Sequence, residues 1–279
     1  LYIEANTDKP ETARLDFIVQ APEITRNGST LYDVEINGDY NNQIITLDKI
    51  SLRDSAGKLK SKASYHPATK TAKFDAQSTL HLQMLCRQLF GISVMNQLTF
   101  STPPAISCTG TVRLSSGSPP ETMITGQISV SDFSFLGSRF EKLETDFSSH
   151  DRDVFLTRLH AIHSKGELKG RILLKDETIQ YEADSTLPAS AYTPFLNESG
   201  IGKALENALF HDDSSIHIKA RGTMNRHRLT QWEADGYAKI DNFSYKGTPL
   251  NSLSGYYSLS ALRSDFTDIK ADFNYDDYA

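Results

Sequence analysis

Few residues of this sequence have the types and spacing that metal binding or phosphate binding requires. The candidates are two histidines, a glycine-rich segment and two pairs of acidic residues. His160 and His163 stand three apart, and on a strand such residues point to opposite faces, so they do not predict a shared metal ion. Residues 200–203, Gly-Ile-Gly-Lys, lack the upstream glycine and the following Ser or Thr of a phosphate-binding loop, and they predict a turn between helices. The acid pairs at 212–213 and 276–277 have calcium-binding oxygens, but solvated turns are the usual place of such pairs.

No acid, base and nucleophile recur together along the sequence. We therefore predict that the chain is not an enzyme and that it holds neither a cofactor nor a metal. Cys86 and Cys108 are the two cysteines. They would form a disulfide in an oxidising compartment or remain two buried thiols, and the sequence leaves both alternatives open.

The composition limits the class of protein. The 279 residues carry a net charge of −6 without a cluster of Lys and Arg, so binding to the phosphates of nucleic acid is not expected. Hydrophobic residues make up 38% of the chain, which is low for a core covered on both sides. It is typical of sheets that keep one face in water.

The sequence repeats itself, and the repeat predicts the organisation of the chain. Residues 124–166 align with 234–276 at an offset of 110, and residues 23–65 align with 132–174 at an offset of 109. Matched positions include Gly126 with Gly236, Phe133 with Phe243, Gly137 with Gly247, and Gly57 with Gly166. Such a period is the signature of an array of stacked units, here a fragment of a longer protein. We predict the tail of a preceding repeat at 1–16, a first repeat at 17–125, a second at 126–235 and a truncated third at 236–279.

Each repeat reads mainly as short strands with turns between them. Residues 127–131 alternate apolar with polar, and residues 132–135 resume the alternation after a slip of one residue, which predicts a bulge or a bend. Turn signals recur at short intervals, as in an antiparallel meander. The last strand of each repeat is expected near 107–114 and 215–223.

Short amphipathic helices are expected to interrupt each meander. Leu82, Leu85 and Leu89 in the first repeat have helical spacing. The matching apolar residues of the second repeat are Tyr192, Phe195, Leu196, Ile201, Leu205 and Leu209. The predicted fold class is therefore mainly β: a repeated antiparallel meander that forms a long curved or twisted sheet, an open groove, with short helices inserted in each repeat.

Four segments resemble the repeats of AsmA-like proteins of Gram-negative envelopes. The clearest is Leu159-x-Ala161 followed by Gly-x-Leu-x-Gly at residues 166–170. The others are the Ser-Thr-Leu segments at 78–80 and 185–187, and the Pro pair at 103–104 before a glycine-containing strand. In the first repeat Ser61 stands where this motif has Gly170.

This resemblance implies a lipid conduit. AsmA-like proteins are anchored in the inner membrane, here through a segment outside this chain, and cross the periplasm as a twisted β-groove that carries phospholipid acyl chains towards the outer membrane. The expected partners are acyl chains and, through that outside segment, the membrane. Residues predicted to line the groove are Ile45, Leu47, Ile50, Phe74, Val130, Phe133, Phe135, Leu156, Leu159, Ile172, Leu174, Tyr181, Phe243 and Tyr245. Each fits the core of a closed sandwich equally well.

Two other functions fit the same pattern. A structural or adhesive β-repeat protein of the envelope would have a dry interior and no small ligand. A bridge for lipopolysaccharide would need cations at the rim of the groove, for which the sequence offers Lys165, Lys169, Arg171 and Lys175. Exposed sheet edges also predict end-to-end self-association. The sequence leaves the cargo, its direction, the number of repeats and the oligomeric state open.

Overall fold

The structure is a computed structural model. It describes residues 2–4, 14–26, 29–80, 98–115, 119–135, 137–151, 153–196, 207–225, 232–260 and 263–273. Most of these residues lie in strands. In chain order the strands are β1 (Tyr2–Glu4), β2 (Arg14–Arg26), β3 (Ser29–Asn41), β4 (Ile44–Arg53), β5 (Lys58–His66), β6 (Thr71–Ser78), β7 (Leu98–Phe100), β8 (Ala105–Arg113), β9 (Glu121–Phe135), β10 (Ser138–His150), β11 (Asp153–His163), β12 (Gly166–Lys175), β13 (Thr178–Ser185), β14 (Ala208–Asn225), β15 (Trp232–Tyr245), β16 (Thr248–Ser260) and β17 (Ser264–Phe273).

The predicted antiparallel meander is confirmed. All the described strands belong to one sheet, and strands consecutive in sequence pair with each other except at β7. There β6 pairs directly with β8, while β7 pairs with β9. The predicted last strands of the first and second repeats are β8 and β14, which re-enter the sheet beside β6 and β13.

The prediction of short amphipathic helices in each repeat is not borne out. The described residues contain one helix, α1 (Ala189–Leu196), which includes the predicted Tyr192, Phe195 and Leu196. Leu209, expected on a helix, lies in β14, because the strand pairs with β15 and Phe210 stacks on Phe243 with ring centroids 6.2 Å apart. The other expected helical residues, Leu82, Leu85, Leu89, Ile201 and Leu205, lie outside the described residues.

The predicted slip of one residue after Val130 is confirmed, and it recurs. Asp132 has a φ of 50°, so Val130 and Phe133 are both buried although three positions separate them. Asn242, the equivalent residue of the next repeat, has a φ of 53°. Arg158 and Asp268 form a second pair of equivalent left-handed residues, with a φ of 51° each. These shared backbone conformations support the repeat.

The turn glycines recur at equivalent positions too. Gly137 and Gly247 have φ values of 84° and 82°, which glycine adopts without steric cost. Lys246, with a φ of 51°, and Gly247 form the two-residue turn between β15 and β16. Two residues with positive φ are the signature of a type I′ turn, whose twist matches that of the strands it joins.

The Ser-Thr-Leu segments have the same hydrogen bonds in both repeats. Thr79 donates its N–H to the Lys58 carbonyl at 2.8 Å, and Thr186 donates to Glu167 at 2.8 Å. Lys58 and Glu167 return N–H bonds to the two threonine hydroxyls, at 3.0 and 3.1 Å. The leucine of each segment, Leu80 or Leu187, is buried and donates its N–H to the preceding serine hydroxyl.

The chain divides into two compact units that do not follow the predicted repeat boundaries. The first unit contains β1–β6, β8, most of β9 and the end of β10. The second contains the end of β9, the start of β10, most of β11, α1 and β12–β17. The boundaries at residues 125 and 235 therefore stay a prediction.

Candidate functional site

The first unit has one continuous apolar face. Leu47 of β4 pairs with Ala63, Ala63 with Phe74, Phe74 with Gly110 and Gly110 with Ile124. Cross-strand partners lie on the same face of a sheet, so these five residues form one row across five strands. We call this row and its two neighbours the first apolar face. The neighbouring rows contain Ile45, Tyr65, Ala72 and Val112 on one side and Ile50, Ser61, Ala76, Cys108 and Gly126 on the other.

The opposite face of the first unit is polar. Between the apolar positions, Lys62 pairs with Asp75, Asp75 with Thr109 and Thr109 with Thr125. All four are exposed, whereas their apolar neighbours are half-buried. The alternation of exposed and half-buried residues over most of β5, β6 and β8 separates the two faces.

The first apolar face is not a closed core. Its described strands lie side by side in one sheet, and among the predicted lining residues of this unit only Val130 is buried, with 2% of its surface exposed. Ile45, Leu47, Ile50 and Phe74 are half-buried. The face therefore keeps apolar surface that another molecule can cover.

The second unit repeats this arrangement. Ile172 pairs with Tyr181, Tyr181 with Gly222, Gly222 with Ala234 and Ala234 with Leu259. We call this row and its two neighbours the second apolar face. The neighbouring rows contain Leu174, Ile179, Met224 and Trp232 on one side and Gly170, Ala183, Ala220, Gly236 and Tyr257 on the other.

Several predicted lining residues of the second unit have a different environment. Phe133 and Phe243 are buried, and each stacks on a neighbouring ring: Phe140 at 5.1 Å and Phe210 at 6.2 Å between centroids. They contribute to packing and not to an accessible face. Tyr245 is 37% exposed, with the Lys246 ammonium 5.7 Å from its ring centroid. The remaining predicted residues, Phe135, Leu156, Leu159, Ile172, Leu174 and Tyr181, are half-buried.

Two tyrosine side chains cross the second apolar face. The Tyr181 hydroxyl donates to the Glu233 carbonyl at 3.3 Å, and the Tyr257 hydroxyl donates to the Lys219 carbonyl at 3.1 Å. Burial raises the pKa of Tyr257 above its ordinary range, and nearby Tyr181 adds to the shift. The sequence analysis did not select Tyr257. The feature of the sequence that could have indicated Tyr257 is Gly236, the glycine that pairs with it across β15 and β16.

Helix α1 covers one end of the second apolar face. The Tyr192 hydroxyl donates to Ser185 Oγ at 2.5 Å, and Ser185 pairs with Leu168 and Ile218 on that face. Ala191 and Leu187 are buried beside this bond.

Two of the four cations expected at a groove rim lie on the polar face of the second unit. Arg171 Nη2 is 2.5 Å from Glu182 Oε1, and Lys169 Nζ is 2.5 Å from Glu167 Oε1. These hydrogen bonds hold the pKa of both carboxyls below the ordinary range. The charges of Lys169 and Arg171 are therefore neutralised by these carboxylates, on the face opposite the apolar rows.

The histidines and acids first considered for chemistry have structural roles where the structure describes them. His160 Nε2 lies 2.7 Å from Glu167 Oε2, and His163 Nδ1 accepts the Lys165 N–H at 3.0 Å. Residues 212–213 lie within β14, not in the turn expected for them. No cluster of metal-binding side chains occurs in the described part of the chain.

Only one of the two cysteines lies in the described part of the chain. Cys108 carries a free thiol whose pKa is raised by burial. Cys86 lies outside the described residues, as do residues 200–203 and 276–277. The free thiol of Cys108 agrees with the alternative of unpaired cysteines, and the environment of Cys86 stays a prediction.

Strands β2 and β17 each carry several exposed apolar side chains. Ile18 is 66% exposed on β2, and Phe266, Ile269 and Phe273 are exposed on β17. Self-association through such strands stays a prediction.

Among the described residues, no helix has the length and apolarity needed to cross a bilayer. Comparison with protein-family models, curated proteins and solved structures found no match for this chain.

Proposed function

We propose that this chain is a lipid-binding segment that carries phospholipid acyl chains on the apolar faces of its two units. In this proposal it belongs to an AsmA-like envelope protein and works in the periplasm of a Gram-negative-type bacterium, between the inner and outer membranes. A segment outside this chain would provide the anchor in the inner membrane. The chain acts without catalysis.

One observation carries the proposal: the row Leu47, Ala63, Phe74, Gly110 and Ile124 is apolar across five strands and remains half-buried. Strands lie about 4.8 Å apart, so this row is about 19 Å long. A row of that length is an extended apolar surface and not an isolated patch.

The energetics of acyl-chain binding need no specific polar group. Covering one methylene stabilises a complex by about 0.8 kcal/mol, so several methylenes in contact with the row offset the cost of association. The first apolar face has no Lys, Arg, Asp or Glu in its three rows. The lipid headgroup would therefore stay in water, and the face would not select it.

The alternatives have less support. A structural repeat without a ligand would bury its apolar rows, whereas Leu47, Ile50 and Phe74 are half-buried. A lipopolysaccharide bridge needs free cations near the apolar rows, but Lys169 and Arg171 form ion pairs on the polar face.

The test compares two neighbouring substitutions on one strand. Ala76 lies on the first apolar face of β6, opposite Cys108, and the exposed Gln77 lies on the polar face. The purified chain is mixed with vesicles of phosphatidylethanolamine and phosphatidylglycerol, re-isolated, and examined by native mass spectrometry and lipid extraction. We expect bound phospholipid in the unchanged chain and in Gln77→Asp, and its loss in Ala76→Asp.

Circular dichroism and thermal unfolding establish that both variants fold. A folded, unchanged chain that takes no lipid from the vesicles would overturn the proposal and favour the structural repeat. Equal lipid binding by the two folded variants would show that the first apolar face is not the binding surface.

A further inference from the structure

An aromatic ring lies over a glycine on the first apolar face. Phe74 and Gly110 are cross-strand partners on β6 and β8. A Cβ placed on Gly110 would stand 2.6 Å from Cε1 and Cζ of Phe74, closer than real Cβ atoms approach. The ring therefore occupies the space that a side chain at residue 110 would fill. We call such a combination an aromatic–glycine pair.

Two more aromatic–glycine pairs lie in the same unit. They occupy equivalent positions of two repeats, but the strand that carries the ring in one repeat carries the glycine in the other. Phe17 on β2 pairs with Gly38 on β3, whose Cβ would stand 3.0 Å from the ring, 2.8 Å from Leu47 Cδ2 and 2.4 Å from the Thr46 carbonyl oxygen. In the next repeat Gly126 is on β9, and its Cβ would meet Phe147 of β10 at 2.7 Å. The offset between the two repeats places Gly126 at the position of Phe17 and Phe147 at the position of Gly38. The glycine and the aromatic have changed strands, yet the pair remains.

The second apolar face has two pairs built with tyrosine. Tyr181 lies over Gly222, and Tyr257 lies over Gly236, so that a Cβ on each glycine would stand 2.6 and 2.5 Å from the respective hydroxyl oxygen. Each tyrosine reaches across its glycine to a backbone carbonyl on the strand beyond, as described above. Gly236 is the equivalent of Gly126 in the following repeat.

The pairs have a common physical effect on the surface. A ring that fills the space of the missing side chain covers the backbone there, so the apolar row has neither a gap nor a second side chain at that position. A Cβ at residue 110 would force the Phe74 ring upward or sideways, because close-packed neighbours leave no room below it. The surface above would then become uneven.

We propose that the aromatic–glycine pairs are positioning elements that keep the apolar faces level and thereby select unbranched acyl chains over methyl-branched ones. This inference rests on the proposed function. An unbranched chain touches a level surface along its whole length. A methyl branch lifts the chain on both sides of the branch point, and those methylenes lose their dispersion contacts.

Gly110→Ala is the clearest test, because the nearest atoms to its Cβ are side-chain atoms of Phe74 and Ile124. At Gly126, Gly222 and Gly236 a Cβ would also meet a backbone carbonyl oxygen within 2.2 Å, which disturbs the sheet itself. The matched control is Gly255→Ala on the second apolar face, where the nearest atoms lie 3.3 to 3.5 Å from the Cβ and none belongs to an aromatic ring.

The measurement is the ratio of dissociation constants for palmitic acid and phytanic acid, which is methyl-branched, in the full chain. We expect the unchanged chain and Gly255→Ala to bind palmitic acid more tightly. Gly110→Ala should weaken palmitic acid about fourfold for each methylene that loses contact, since about 0.8 kcal/mol per methylene corresponds to that factor. Phytanic acid should change less, so the preference for palmitic acid falls.

The possible results separate this inference from the proposed function. If the unchanged chain binds neither acid, the proposed function and the inferred selection are both wrong. If it binds both acids equally, or if Gly110→Ala keeps the ratio of the unchanged chain, the proposed function stands and the selection is wrong. A purely structural role for the pair would lower the melting temperature and weaken both acids by the same factor.

Discussion

Phe17 lies over Gly38, its cross-strand partner, and the equivalent positions of the next repeat hold Gly126 and Phe147 with the roles reversed. A Cβ on Gly38 would stand 3.0 Å from the Phe17 ring, and one on Gly126 would stand 2.7 Å from the Phe147 ring. One ring and one missing side chain are therefore needed at this crossing of two strands. Which strand supplies the ring is secondary.

This exchange predicts the behaviour of a double variant. Gly126→Phe alone should destabilise the first unit, because two rings would compete for one space and the new Cβ would also stand 2.2 Å from the Ser107 carbonyl oxygen. Phe147→Gly alone should cost about 2 kcal/mol through loss of a half-buried ring. Combining them should recover part of both losses, with a coupling energy of about 1 kcal/mol or more, measured by chemical denaturation. Strictly additive losses would contradict the idea that the two positions share one space.

Gly57 and Gly166 should tolerate no side chain. A Cβ on Gly57 would stand 1.8 Å from the Thr79 carbonyl oxygen, and one on Gly166 would stand 2.1 Å from that of Thr186. The backbone would have to move, which breaks the paired Thr79 and Lys58 hydrogen bonds. We expect Gly57→Ala to destabilise the first unit by about 3 kcal/mol or more. Gly255→Ala, whose Cβ would come no closer than 3.3 Å to another atom, should stay within about 1 kcal/mol of the unchanged chain.

The stability of the second unit should fall at alkaline pH. Burial raises the pKa of Tyr257 in the folded state, with further contributions from Tyr181, Tyr192 and Asp235. Below about pH 10 the phenol is neutral in both states, so its contribution is fully present. As the pH rises further, the unfolded chain loses this proton first, and the folded state loses stability.

Tyr257→Phe isolates that effect. The variant should lose about 1 kcal/mol at neutral pH, because the hydroxyl bond to the Lys219 carbonyl is gone. Its stability should then decline less steeply above about pH 10, as measured by denaturant unfolding at a series of pH values. A decline as steep as in the unchanged chain would assign the alkaline sensitivity to other groups.

The strands were predictable because their apolar positions alternate, and their faces followed from that alternation. Ile45, Leu47, Ile50 and Phe74 share one face in the structure, since β4, β5 and β6 pair in the register that keeps apolar residues together. The slip at Asp132 was also visible, because Val130 and Phe133 violate period two.

Other features depend on contacts between distant residues and had no local signal. Leu209 has helical spacing to Leu205, yet the pairing of β14 with β15 overrides that spacing. Phe133 and Phe243 have the same pattern as accessible lining residues, and only their stacking on Phe140 and Phe210 makes them buried. The aromatic–glycine pairs need the register of two strands, which no single segment encodes.

The bond between Tyr192 and Ser185 predicts how α1 is held on the second apolar face. The two hydroxyls lie 2.5 Å apart, and Ser185 also donates to the Glu167 carbonyl at 3.4 Å, so the helix is tied to the end of β13. Tyr192→Phe removes the tie but keeps the ring, and it should weaken the docking of α1 by about 1 kcal/mol. Amide hydrogen exchange in α1 should accelerate about fivefold, while exchange in the first unit stays unchanged. If α1 covers surface that acyl chains use, the variant should also bind more phospholipid from vesicles than the unchanged chain. Faster exchange without additional lipid would leave α1 as a packing element that does not compete with the ligand.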